Sequence, residues 1–162
     1  MMKDQSGIRQ VPTRENAYLN DHARLLVESF RRWTGRALLE CDAQAFGREL
    51  FYAPFVIASH DTCENPVFNY ANLMALQAWE TNWEVFTSLP SRASAGDAEQ
   101  AERAEFMARV SAEGFVTEYS GLRISTLGRQ FRIHDATVWN VVDDAGVYHG
   151  QAVWFERWDY LE

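Results

Sequence analysis

The chain has 162 residues, 47% of them hydrophobic and 14% aromatic, which suits one well-packed domain and excludes disorder as the main state. Its net charge of −8 is uneven, because positions 1–36 sum to +3 and positions 37–162 sum to −11. An acidic body repels phosphate backbones, so no nucleic-acid partner is expected. No run of 18 apolar residues occurs, so no membrane partner is expected either.

The first ten residues, MMKDQSGIRQ, are polar and lack the apolar segment of a secretory signal. The two cysteines, Cys41 and Cys63, are too few for a disulfide framework, so free thiols in a reducing compartment are expected. Together these features predict a cytoplasmic protein.

The N-terminal third is predicted to be a polar tail over residues 1–15 and a helical extension over residues 16–53. A first helix is predicted over residues 16–34, because apolar side chains recur there at helical spacing and Gly35 provides a stop. Its apolar stripe consists of Leu19, Ala23, Leu26, Phe30 and Trp33. A second helix is predicted over residues 43–51, ahead of a proline.

The remaining residues, 54–162, are predicted to form the main domain, which opens with a β-hairpin. Apolar runs at 55–58 and 67–70 form its two strands, and turn-forming residues separate them. Three helical segments then cover residues 72–79, 83–89 and 97–113, with Asn72 and Asp97 as candidate capping residues.

The last part of the chain is predicted to form three antiparallel strands, at 115–125, 129–142 and 148–158. A turn at 143–146, with two Asp and a Gly, joins the last two of them. Strands that are segregated from helices indicate an α+β fold. The predicted architecture is a single antiparallel five-stranded sheet with helices on one face and the N-terminal helical extension.

Several short motifs resemble one known family. They are Ser59-His60, PVFNYAN at 66–72, Ala78-Trp79-Glu80 with Trp83, LPSR at 89–92, YSGLRI at 119–124, GRQFRI at 128–133, ATVWN at 136–140 and Gly150-Gln151-Ala152. On these motifs the chain resembles the MEKHLA domain family over about residues 16–158. That family is PAS-like, and it occurs as small stand-alone bacterial proteins and at the end of certain plant homeodomain–zipper regulators. The resemblance implies a PAS-like sensor fold and supplies no catalytic residues.

Motifs for metal binding, catalysis or a cofactor are weak. The segment 60–64, His-Asp-Thr-Cys-Glu, contains residue types that bind metals or transfer protons, but no further ligands recur at a known spacing. We interpret this segment as a turn and predict no metal. PAS relatives with haem usually carry a His on the long helix, and residues 97–113 contain none. Relatives with covalent flavin carry a Cys in the helical segment, whereas Cys63 lies in the hairpin, so no cofactor is expected.

Alternation along the long strand sorts its side chains into two faces. The more apolar face contains Phe131, Ile133, Asp135, Thr137, Trp139 and Val141, and it is expected to line a cleft beneath the helices. A buried carboxylate is costly, so Asp135 should pair with Arg123 on the next strand or with a backbone group. The alternative is a small-ligand pocket with polar anchors and tryptophan walls. Its residues would be Asp135, Thr137, Trp139, Trp154, Trp79 and Arg123.

The other face of the long strand carries Ala136, Val138 and Val142, and it also needs a cover. The stripe of the N-terminal helix is the natural cover, either within one chain or across a two-fold axis. Because PAS-like domains often pair through this surface, we predict a homodimer through the N-terminal helix and the outer sheet face.

Three functions are compatible with these features. The preferred hypothesis is a non-catalytic sensor or small-molecule-binding module that acts through a separate signalling partner. The second is a protein-interaction or dimerisation module with a filled core. The third is a small enzyme that uses the cleft, with His134, Asp135 or Arg123 as acid/base groups. Fold alone decides none of these.

Overall fold

Helices and strands follow one another much as predicted in a computed structural model, which describes residues 9–96 and 98–161. The helices are α1 (Asn20–Thr34), α2 (Phe46–Phe51), α3 (Leu73–Ala78), α4 (Trp83–Phe86) and α5 (Gln100–Glu113). The strands are β1 (Val56–His60), β2 (Phe68–Ala71), β3 (Phe115–Ile124), β4 (Gln130–Val142), β5 (Tyr148–Phe155) and β6 (Arg157–Tyr160). Within these residues, no helix is long and apolar enough to cross a membrane.

The predicted first helix is confirmed, although it begins later than its apolar pattern suggested. α1 starts at Asn20, because residues 17–19 all adopt positive φ angles near 54°, which interrupt a right-handed helix. Its end is as predicted, since Gly35 takes a left-handed φ of 73° and its N–H donates to the Arg31 carbonyl at 2.8 Å. The second predicted helix is also present, as a 3-10 turn that leads into α2.

Asn72 joins the β1–β2 hairpin to the helices on either side of it. Its Oδ1 accepts from the Ala75 N–H at 3.0 Å, which caps α3 as predicted, and from the Ile57 N–H at 3.2 Å. Its Nδ2 donates to the carbonyl oxygens of Phe55 at 2.8 Å and Leu50 at 3.1 Å. One fully buried amide therefore connects α2, β1 and α3.

The long helix is also confirmed, and its start is later than predicted. α5 begins at Gln100, and the predicted capping residue Asp97 lies outside the described residues. Gly114 ends the helix as predicted, with a φ of 93° and an N–H that donates to the Val110 carbonyl at 2.8 Å. A Cβ at this glycine would come within 2.5 Å of the Trp33 ring, so a larger residue would separate α1 from this turn.

The predicted antiparallel sheet is confirmed, and it contains one strand more than predicted. The strand order is β2-β1-β5-β4-β3, and β6 pairs with the first part of β4; all of these pairs are antiparallel. The predicted last strand over residues 148–158 is two strands, β5 and β6, which are interrupted at Glu156. The fold is therefore α+β with a single antiparallel sheet.

Different helices cover the two faces of the sheet. Val138 packs with Phe106 and Val110 of α5 on the face that we call inner. The next residue of β4, Trp139, packs against α1 on the opposite face, which we call outer. Neighbouring residues of one strand point to opposite sides, so α1 and α5 lie on opposite sides of the sheet.

Side-chain alternation along β4 reverses near Asp135, and this overturns the predicted assignment of the two faces. Ile133 and Val138 both lie on the inner face, although residues an odd number of positions apart point to opposite sides of a regular strand. Asp135 takes a left-handed φ of 51°, and the pairing of β3 with β4 is irregular at the same level. The prediction that Trp139 shares a face with Ile133 is therefore wrong.

α1 docks on the outer face of the sheet of its own chain. The ring of Phe30 meets that of Trp139 edge-on, with centroids 5.0 Å apart. The Trp139 Nε1–H donates to Ser29 Oγ at 3.0 Å. At the end of the helix, the Trp33 Nε1–H donates to the Asn140 carbonyl at 2.8 Å. The helix stripe thus docks within its own chain, which is one of the two predicted arrangements. The predicted docking face is wrong, because the stripe covers the side of Trp139 whereas Val138 of the predicted face packs under α5.

Docking of α1 within one chain limits how the predicted homodimer could form. A dimer through the same surface would require two chains to exchange their α1 helices, because the outer face is already covered by the helix of its own chain. Dimerisation stays a prediction.

Phe30→Ala tests how much the docking of α1 contributes to stability. Phe30 is 1% exposed, and its loss should lower the free energy of unfolding by about 3–5 kcal/mol in urea melts. Arg31→Ala is the matched control on the exposed side of the same helix, and it should change stability by less than about 0.5 kcal/mol. Equal effects of the two substitutions would contradict the docking.

His22 links α1 to the hairpin through its ring. The Ser59 hydroxyl donates to Asn69 Oδ1, so the Nε2–H of His22 must be the donor in its 3.0 Å contact with Ser59 Oγ. The ring also packs on Tyr70, with centroids 5.5 Å apart. Burial lowers the pKa of His22 below its ordinary value of 6.5, so the native protein holds this ring neutral.

This lowered pKa predicts a loss of stability on mild acidification. Below about pH 6.5 the unfolded chain binds a proton at His22 that the native chain does not bind, so stability falls as the pH falls. Urea melts between about pH 7.5 and 5 should show this fall, by at most about 1.4 kcal/mol per pH unit for this residue. His22→Gln keeps a donor for Ser59 and should reduce the slope. An unchanged slope in His22→Gln would show that His22 is not responsible.

Candidate functional site

A cleft lies between the inner face of the sheet, the helix α5 and Trp79, which directly follows α3. Its free volume is about 40 Å³, and its walls are mainly apolar. A water molecule takes up about 30 Å³ in the liquid, so the cleft accepts only a compact group unless side chains move. The apolar walls are Ala58, Trp79, Ile133, Val138, Val153 and Phe155.

The register of the three central strands builds the floor of the cleft. Val153 of β5 lies opposite Ala58 of β1 on one side and opposite Val138 of β4 on the other. One step along the same face, Gln151 lies opposite His60 and Asn140. Cross-strand neighbours share a face, so an apolar row and a polar row lie side by side beneath the helices.

Two arginines reach the cleft from different elements. Arg123 of β3 is only 6% exposed, and its guanidinium donates to Tyr119 Oη at 3.0 Å and to the Leu122 carbonyl at 2.7 Å. Arg103 projects from the first turn of α5 and also lines the cleft. Burial, with a smaller contribution from the Arg123 charge, lowers the pKa of Arg103 to about 10. The Arg103 side chain therefore stays charged at neutral pH.

The polar row is held by hydrogen bonds to the backbone and to neighbouring side chains. His60 Nδ1 lies 2.9 Å from the Asp61 carbonyl oxygen, so this nitrogen carries the proton and Nε2 is an acceptor. Burial lowers the pKa of His60, which keeps the ring neutral. Gln151 Nε2 donates to Asn140 Oδ1 at 3.0 Å and to Ser111 Oγ at 3.1 Å.

Some polar groups of the cleft residues have no partner in the described part of the chain. The Arg103 Nε and the Trp79 Nε1 are buried and make no hydrogen bond there. Among the described residues, no carboxylate lies within ion-pair distance of Arg103 or Arg123. Buried donors are normally satisfied, so we take the cleft as the candidate site; in the described residues the Tyr70 hydroxyl, Glu80 Oε1 and the Trp154 Nε1 also lack a partner, away from the cleft.

Two of the six predicted site residues lie at the cleft, namely Trp79 and Arg123. The structure does not bring the other tryptophans to it, because Trp139 and Trp154 lie on the outer face, where both contact Phe30. The predicted cluster is divided between the two faces because side-chain alternation reverses near Asp135.

The predicted polar anchors also lie away from the cleft. Thr137 is buried and lies opposite Trp154 in the strand register. Asp135 is exposed, and its carboxylate pairs with Arg157 of β6 rather than with the predicted Arg123. The left-handed backbone at Asp135 turns this carboxylate out to solvent, so it needs no buried partner.

Sequence reasoning missed several residues of the cleft, of which His60, Gln151 and Arg103 matter most. His60 and Gln151 are polar residues within strands that are otherwise apolar, and that contrast could have identified them. Arg103 had no comparable signal, because charged residues are frequent on the exposed side of a helix such as α5.

The three groups of the enzyme hypothesis do not converge. His134 lies 2.7 Å from Asp159 near the protein surface, and Asp135 pairs with Arg157. Arg123 alone of the three lies at the cleft. These three groups are therefore not placed to transfer a proton to or from one bound substrate.

The segment 60–64 is a turn in which Asp61 is already engaged. Its Oδ1 accepts from the Cys63 N–H at 3.1 Å and from the Val67 N–H at 3.0 Å. Its Oδ2 pairs with Arg9 at 2.7 Å. Among the described residues, no group of three or more His, Cys, Asp or Glu side chains is placed to hold a metal ion.

Comparison with known sequences identifies a family. A family model of the MEKHLA domain matches residues 20–160. The chain is similar to the homeobox-leucine zipper protein ATHB-9 of Arabidopsis thaliana, at 25% identity over 96% of this chain and 19% of that protein. It is also similar to the homeobox-leucine zipper protein HOX32 of Oryza sativa subsp. indica, at 27% identity over 86% of this chain and 16% of that protein. The chain thus spans less than a fifth of these plant relatives.

Comparison with solved structures identifies the fold. The PAS domain of a protein from Colwellia psychrerythraea has a TM-score of 0.58 at 11% identity, over 70% of this chain and 92% of that one. A light-oxygen-voltage domain described with a flavin analogue has a TM-score of 0.57 at 13% identity, over 73% of this chain and 85% of that one. An RNA-binding light-oxygen-voltage receptor has a TM-score of 0.59 at 17% identity, over 78% of this chain and 35% of that one.

The residues of the cleft do not fit a flavin. Pockets for cofactor-sized ligands enclose about 300–1,000 Å³, whereas the cleft has a free volume of about 40 Å³. Both cysteines are exposed, and Cys63 lies in the turn between β1 and β2 rather than at the cleft. The inner face of this sheet is therefore suited to a smaller ligand.

We predict that the purified protein holds no metal at the 60–64 turn, because the Asp61 carboxylate is occupied by two N–H groups and a guanidinium. Elemental analysis should find far less than one equivalent of zinc or iron, and chelator should leave the melting temperature unchanged. About one equivalent of metal in the wild type that disappears in the His60→Ala/Cys63→Ser double variant would contradict this.

Proposed function

Since the chain belongs to the MEKHLA domain family and has the fold of PAS domains, we propose that it is a non-catalytic sensory module. It binds a small molecule in the cleft on the inner face and acts through a separate partner. The relatives of known sequence are much longer proteins, and this chain corresponds to a small part of each.

One observation carries the proposal: the cleft contains buried donors that no described residue satisfies. The Arg103 Nε and the Trp79 Nε1 both belong to residues that line it. A filled, dry core would place apolar groups there, because each unsatisfied buried donor costs about 1–3 kcal/mol. A bound ligand that accepts hydrogen bonds would remove this cost.

The strand β4 offers a short route from the cleft to the opposite side of the sheet. Val138 faces the cleft and the adjacent Trp139 contacts α1, so a shift of β4 moves both contacts together. Asn140 reinforces this link, because its side chain donates to the Val110 carbonyl at 3.2 Å and its carbonyl accepts from Trp33. Ligand binding that favours one position of β4 would therefore favour one position of α1.

The exposed side of α1 is the surface that we assign to a partner. It carries Arg24, Arg31 and Arg32 in an otherwise acidic protein. Arg24 pairs with Glu28 at 3.1 Å and Arg32 with Asp144 at 2.9 Å, so this surface presents paired charges of both signs, which can select the orientation of a partner.

A cleft-filling substitution separates ligand binding from stability. Val138→Ile adds one methylene towards the free space, so it should leave stability unchanged or raise it by about 0.8 kcal/mol, while ligand binding is lost. Val141→Ile is the matched control on the same strand. Val141 is 1% exposed, so the added methylene should destabilise by about 1–3 kcal/mol through overpacking and leave ligand binding intact.

The measurement combines two methods. Native mass spectrometry of protein purified from cells detects a copurified ligand as added mass that denaturation releases. Thermal unfolding with a panel of small acids, amides, alcohols and amines then detects ligands that were lost on purification. If no added mass is found and no compound raises the melting temperature of the wild type, the proposal fails and the interaction module with a filled core is favoured.

A further inference from the structure

The charge of the cleft is opposite to the charge of the protein. The chain carries a net charge of −8, yet the ionised side chains that line the cleft are Arg103 and Arg123. The remaining titratable residue of the lining, His60, is neutral because its ring is buried. The cleft is therefore a cationic site within an acidic molecule.

The two arginines line the same cleft, and no carboxylate of the described residues lies within ion-pair distance of either guanidinium. Their mutual repulsion contributes to the lowered pKa of Arg103. Glu99 and Glu102 border Arg123 in an adjoining groove, but neither lies within 4 Å of either guanidinium. Like charges in one cleft repel each other, and an anion between them removes that repulsion.

We infer that the cleft binds a compact carboxylate, whose two oxygens are bound by Arg103 and Arg123. This inference rests on the proposed function and specifies its ligand class. A carboxylate matches the fork of N–H donors on a guanidinium, and such charge-assisted hydrogen bonds are about twice as strong as neutral ones.

The rest of the ligand is small and apolar. The free volume of about 40 Å³ lies against Val138, Val153 and Phe155, which offer no hydrogen-bonding side chain. A short alkyl group fits there, whereas a long chain or a second charged group would displace these side chains. Short monocarboxylates such as acetate and propionate are therefore the probes of choice.

Charge selectivity is the first part of the test. In a buffer free of carboxylates, propionate and acetate should shift the indole N–H resonance of Trp79 saturably and raise the melting temperature of the full chain. Propionamide and acetamide have nearly the same shape without the charge, and they should bind at least tenfold more weakly, because a charged hydrogen bond contributes about 1.5–3 kcal/mol.

Substitution of the arginines is the second part. Arg103→Gln should weaken propionate binding at least tenfold, and so should Arg123→Gln. Arg109→Gln is the matched control, since Arg109 lies on the same helix as Arg103 but pairs with Glu113 at the surface, at 3.0 Å. It should bind propionate as the wild type does. An amide spectrum typical of a folded protein confirms that each variant folds. If Arg123→Gln fails to fold, the binding result for Arg103→Gln alone decides the test.

The outcomes separate this inference from the proposed function. If the amides bind as tightly as the acids, or if Arg103→Gln binds propionate normally, the carboxylate assignment is overturned while a ligand-binding cleft remains. If chloride or phosphate competes as well as propionate, the assignment is also overturned, because the site is then a general anion site. If neither acids nor amides bind and no copurified ligand is found, both proposals fail.

Discussion

Burial of β4 on both faces is the constraint on which the rest of the structure depends. Val138 must be covered on the inner face and Trp139 on the outer face, and no single helix can do both. α5 supplies one cover and α1 the other, and β3 and β5 occupy the two edges of the strand. The N-terminal extension is thus an integral layer of the fold, since without it the largest fully buried side chain, Trp139, would face water.

The backbone at Asp135 decides which side chains form the inner face. A regular strand would place Ile133 with Trp139, but the left-handed residue between them places Ile133 with Val138 instead. Glu118 on β3 is also left-handed, so both strands change direction at the same level. Irregularities of this kind redirect side chains locally. The irregularity at Asp135 extends the apolar inner face towards Trp79, whose ring lies 5.3 Å from that of Phe131.

The cleft and the helix α1 lie on opposite sides of one strand, and the proposed sensory function relies on this arrangement. Asn140 illustrates it best, because its side chain interacts with Gln151 and α5 on the inner side while its carbonyl accepts from Trp33 of α1. In the proposed carboxylate site, an anion between Arg103 and Arg123 reduces the repulsion between their charges.

Interactions between residues that are close in the chain made most of the fold predictable from the sequence alone. The apolar stripe of α1, its stop at Gly35, the cap at Asn72 and the turns between strands all follow from interactions among residues close in the chain. The antiparallel α+β arrangement follows from the order of the helices and strands along the chain. Motif resemblance added the family, which the comparisons confirm.

Only the tertiary structure decided what each face of the sheet contains and which groups meet at the cleft. A left-handed φ at a single aspartate leaves no trace in hydrophobic periodicity, yet it moves Trp139 away from Ile133 and turns the Asp135 carboxylate towards Arg157. Arg103 and Arg123 are 20 positions apart on a helix and a strand, and their approach depends on how α5 packs against the sheet. Contacts of this kind depend on the packing of whole elements, so no local pattern specifies them.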